Sequence, residues 1–67
     1  MTETAERGAE AYMQAYEYIV AGGVYATKRK RLKAAWRYLL LTASPPLTPE
    51  EEASARKTMR RMRRPAP

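Results

Sequence analysis

Two interruptions constrain this chain more than anything else in it: Gly22-Gly23 and Ser44-Pro45-Pro46. Paired glycines free the backbone for a helix end and a turn, and paired prolines cannot continue a helix. They divide 67 residues into three segments, and in each the apolar residues fall at helical spacing. The chain therefore reads as all-α: a helical hairpin followed by a weaker third, C-terminal helix.

In the first segment Ala5, Ala9, Tyr12, Tyr16 and Ile19 form a stripe that Met13 and Val20 widen, while Glu6, Arg7, Glu10, Gln14 and Glu17 fall outside it. This predicts a helix over about 3–21, with Glu3 and Glu6 where the N-terminal dipole favours acids. A second helix is expected over 24–43, with Tyr25, Leu32, Trp36, Leu39 and Ala43 on one stripe and Ala35 and Leu40 at its flanks. Lys30, Lys33 and Arg37 take the other side, beside a smaller apolar flank of Ala34, Tyr38 and Leu41. Thr48-Pro49-Glu50-Glu51 opens the third, with Thr48 at the N-cap, Pro at the first helical position and Glu51 closing a capping box. That helix should run over 49–63 and leave 64–67 as a frayed tail. Its apolar side is thin: Ala53, Met59 and Met62, with Arg56 interrupting. Strand signals are weak throughout.

A chain this short makes one domain, 1–67, and buries only about 60% of the surface its unfolded state exposes. Without Cys or His, neither a disulfide nor a usual zinc site reinforces it. The remaining remedy is association, and the expectation is a small dimeric helical bundle, a homodimer. No apolar run is long enough to span a membrane, and the polar, acid-leaning start does not resemble a signal peptide. The expectation is a cytoplasmic protein.

Charge is unevenly distributed. Residues 1–22 carry net −3, residues 23–44 net +6 with no acid, and residues 45–67 net +3, for an overall +6. Such a balance suits a polyanionic partner. The cations of the third helix, among them Arg60, Arg61, Arg63 and Arg64, sit where the helix dipole favours them, so helix stability alone could select them and the block is ambiguous between a solvated face and a binding surface. Lys28, Arg29, Lys30, Arg31 and Lys33 differ, because they crowd toward the start of the second helix, against its dipole. A neutralising role for Glu10 and Glu17 across the hairpin is the plain alternative to an anionic partner.

Phosphate is the anion these residues suit best, and neutralising it requires no base sequence. The expected nucleic-acid contacts are Lys28, Arg29, Lys30, Arg31, Lys33, Arg37, Arg60, Arg61, Arg63 and Arg64. A base-reading helix is disfavoured, since Thr27 is the one short polar side chain beside the cations. Tyr12, Tyr16, Tyr25 and Trp36 lie on core stripes, which leaves Tyr18, Tyr38, Leu41, Met59 and Met62 for a partner interface. Two methionines are a small anchor for an in-plane membrane helix. With no His, Cys or Asp and no Gly-rich phosphate loop, no catalytic group, metal or cofactor is expected. The resulting expectation is a non-enzymatic regulatory or accessory protein that binds DNA or RNA through backbone phosphates. An inhibitor or adaptor module that docks on an acidic protein surface is the alternative.

Overall fold

The computed structural model describes residues 3–64, with side chains from Arg7 onward; the side chains of Ala5 on the first stripe and of Glu3 and Glu6 near its start, and the tail after Arg64, fall outside. Within that range the chain forms three helices and no strand: α1 (Glu3–Gly22), α2 (Lys28–Thr42) and α3 (Pro49–Arg63). They pack as a compact helical bundle of 34 × 30 × 14 Å, thin enough that few side chains lie far from solvent.

The helix ends follow local chemistry. Gly23 takes φ 67°, a region other residues avoid, and its N–H donates to the Val20 carbonyl at 3.1 Å to close α1. The second helix starts four residues later than its periodicity suggests, at Lys28 rather than Val24. Thr27 is extended (φ −119°, ψ 153°), and its hydroxyl accepts from the Lys30 N–H at 3.2 Å. A capping hydroxyl satisfies an otherwise unpartnered amide, which nothing at Val24 offers. Thr27 is thus the cap of α2, and Tyr25 belongs to the connecting turn, 39% exposed instead of in the core. At α3 both halves of the capping box form: Glu51 N–H donates to Thr48 Oγ1 at 3.1 Å, and Thr48 N–H to Glu51 Oε1 at 2.9 Å.

Packing centres on α1, which meets both other helices while α2 and α3 barely touch each other. Tyr12, Ala15, Leu32, Ala35, Leu39 and Ala55 are buried, and Trp36, Met59 and Met62 lie partly buried against them. The Tyr12 hydroxyl donates to the Leu32 carbonyl at 2.7 Å, tying α1 to α2. Burial, and then the neighbouring Tyr16, raises the Tyr12 ionisation well above its ordinary value.

The α1–α3 contact depends on Gly8. A Cβ there would overlap the backbone carbonyl of Glu51, so only glycine lets the two helices approach this closely. Glu51 is 1% exposed but not alone, because Arg7 Nη1 donates to its Oε2 at 3.0 Å. Arg7 Nη2 also reaches the Pro45 carbonyl at 3.4 Å, so one guanidinium joins α1, the connecting loop and α3.

The buried face of α3 differs from its apparent apolar side. Ala53 is exposed, and Glu51 and Ala55 take the inner positions. Arg56, which interrupts the apolar series, instead covers Trp36, with its guanidinium 5.6 Å from the ring centroid.

Candidate nucleic-acid interface

The later start of α2 changes the electrostatics of its basic block. Lys28, Arg29 and Lys30 form the first turn itself, are exposed, and have no acid among them. Amides at a helix start carry a partial positive charge, to which these side chains add. Arg31 behaves differently: it is partly buried, its Nη1 donates to the Tyr25 carbonyl at 2.9 Å, and its Nε has no hydrogen-bond partner among the described residues. It holds the turn before α2 and is only partly available to a ligand. Lys33 and Arg37 continue along α2, exposed, on the same side as Lys30.

None of these α2 cations is ion-paired with a described carboxylate, Glu10 and Glu17 included. Among the described residues the pairs that form are Arg7–Glu51 and Arg56–Glu52 at 3.6 Å, both involving α3.

The second basic block lies on the last turn of α3 and its cap. Arg60, Arg61, Arg63 and Arg64 are exposed. Lys57, Arg60, Arg61 and Arg64 line a shallow concavity of about 180 Å³. Lys57 stood outside the expected set, although its spacing to Arg60, Arg61 and Arg64 is that of one helix face. One basic block thus opens α2 and the other closes α3, two helices that each pack on α1.

A groove of about 410 Å³ runs beside the α2 cations. Ile19, Tyr25, Ala34, Tyr38 and Leu41 form its apolar surface, and Lys30, Lys33 and Arg37 its rim. Tyr18 stacks on Tyr38, with centroids 4.7 Å apart and planes at 14°. Tyr18 and Leu41 are 61% and 83% exposed, whereas Met59 and Met62 spend part of their surface on the core. Tyr16 and Trp36 also pack against the core, and Trp36 meets Tyr12 at 6.4 Å.

Among the described residues no acidic cluster is arranged to hold a metal ion, and no helix is long and apolar enough to cross a membrane. No protein-family model, curated protein or solved structure matches the chain.

Proposed function

We propose that this is a small non-enzymatic accessory protein that binds nucleic acid through backbone phosphates. One observation carries the reading: Lys28, Arg29 and Lys30 occupy the capped first turn of α2, against the helix dipole, with no described carboxylate paired to them. Within the protomer that arrangement is unfavourable, and a bound anion reverses its sign. The arginines at the end of α3 supply a second basic surface, with its own shallow concavity, for further phosphates. Base readers are scarce, so affinity should depend little on sequence.

The test is binding of the full chain to duplex DNA and to single-stranded RNA across a salt series. Lys28→Gln, Arg29→Gln and Lys30→Gln together should lower affinity. The slope of log affinity against log salt should shrink by roughly 0.9 for each duplex phosphate that is no longer neutralised. Helicity should stay level or rise. Binding that is unchanged at low salt would remove this turn from the interface.

A module that docks on an acidic protein surface is the second reading, favoured by the exposed Tyr18 and Leu41 beside the same cations. Heparin separates the two: it should displace a phosphate-bound ligand at levels that a shape-matched protein complex resists.

A further inference from the structure

The groove beside α2 is a stripe with a period. Lys30 and Arg37 lie seven residues apart on its rim, and Ala34 and Leu41 lie seven apart on its apolar surface. On a helix that spacing is two turns, so each pair repeats along one line. The outward side of α1 carries the same pattern with opposite charge. Glu10 and Glu17 are exposed and seven apart, and the half-exposed Met13 and Val20 are also seven apart. Neither Glu10 nor Glu17 is ion-paired with a described residue of the protomer. From Glu10 to Val20 this line covers about 15 Å, and from Lys30 to Leu41 about 16 Å, at the usual helical rise.

We propose that the groove along α2 is an interface between copies of this chain, filled by the outer face of a second copy's α1. With the two helices side by side in the same direction, Glu10 meets Lys30, Glu17 meets Arg37, and Met13 and Val20 lie over Ala34 and Leu41. Reversed, Glu17 still meets Lys30 and Glu10 meets Arg37, but Val20 no longer reaches Leu41, so the first register is preferred. The contact covers Leu41, the most exposed large apolar residue described. It engages Lys30 and Arg37 but leaves Lys28, Arg29 and the α3 arginines free for phosphate, so it goes beyond the nucleic-acid reading and does not depend on it. Complementary charges here work against the repulsion between two +6 protomers, so their pattern rather than net charge sets the pairing.

Charge exchange tests this without nucleic acid. Glu10→Lys with Glu17→Lys, and Lys30→Glu with Arg37→Glu, are made as two double variants of the full chain and compared by sedimentation equilibrium at physiological salt. The wild type should associate, and each double variant alone should associate at least tenfold more weakly. An equimolar mixture of the two should recover a complex of twice the protomer mass, because the reversed acids of one variant and the reversed bases of the other again oppose. A wild type that stays monomeric to sub-millimolar concentration overturns the proposal. So do variants that associate like the wild type, or a mixture of folded variants that stays apart. If circular dichroism shows that a double variant has lost helicity, Leu41→Lys takes its place and must weaken association by itself. Duplex binding by Glu10→Lys/Glu17→Lys is read separately, since that variant retains every cation assigned to phosphate.

Discussion

Gly8 and Gly22 both lie in α1, and the structure assigns opposite consequences to the same substitution at the two positions. Alanine is the better helix former by about 1 kcal/mol in a helix interior, which by itself favours both changes. At Gly22 nothing lies within 4 Å of the added Cβ, so Gly22→Ala should stabilise by about 0.4–1 kcal/mol through the unfolded chain. At Gly8 the new methyl overlaps the Glu51 carbonyl, and the Glu51 carbonyl carbon and Cα stand only 2.9 and 3.0 Å away. These are backbone atoms, so no rotamer change relieves the overlap and α3 must move away as a unit. Overpacking of this kind costs about 1–3 kcal/mol, and the movement also stretches the Arg7–Glu51 pair. After the propensity gain, overpacking alone should leave Gly8→Ala destabilised by up to about 2 kcal/mol, and the stretched Arg7–Glu51 pair adds to the loss. The two variants should then differ by up to about 3 kcal/mol, or up to roughly 20 °C in midpoint for a domain of this size. Urea and thermal unfolding followed by circular dichroism measure the difference. If Gly8→Ala matches or exceeds wild-type stability, the close α1–α3 approach is wrong.

Three further outcomes follow from the packing. Trp36 is partly buried between Tyr12 and Arg56, so Trp36→Ala should cost about 2–3 kcal/mol, below the range for a fully buried aromatic; complete unfolding by circular dichroism would place the indole deeper than this packing does. Glu51→Ala removes the acceptor for Thr48 N–H and the partner of Arg7 together and should destabilise by at least about 2 kcal/mol in urea unfolding, whereas a surface glutamate would cost almost nothing. The Tyr12 hydroxyl ionises at higher pH in the folded state than its ordinary 10.0, so its contribution is intact below that pH and is lost as pH rises through the folded-state value. Tyr12→Phe should cost about 1 kcal/mol at neutral pH and lessen the alkaline decline by up to ~1.4 kcal/mol per pH unit, measured by urea unfolding across that range; parallel wild-type and variant curves would contradict it.

Features that depend on a few consecutive residues were legible in the sequence. Glycine and proline punctuation divides the helices, Thr48 and Glu51 announce a capping box, and Gly23 supplies the turn, because each rests on backbone and side-chain chemistry within one turn. The uneven charge was equally plain. Tertiary structure decided what those residues face. Thr27 prevailed over the apolar spacing of Tyr25 because a cap satisfies amides that a stripe cannot, and that shift brought Lys28, Arg29 and Lys30 into the first turn. Arg31 turned back onto Tyr25, which no count of cations reveals. Gly8 is an ordinary helical glycine until α3 lies against it, and Glu51 is a surface acid until Arg7 and the Gly8 contact enclose it. Arg56 reads as a break in an apolar series until Trp36 lies beneath it. Periodicity reports that a helix has an inner side; which backbone or ring occupies the space opposite depends on how the helices cross, and that is set by contacts among residues distant in the chain.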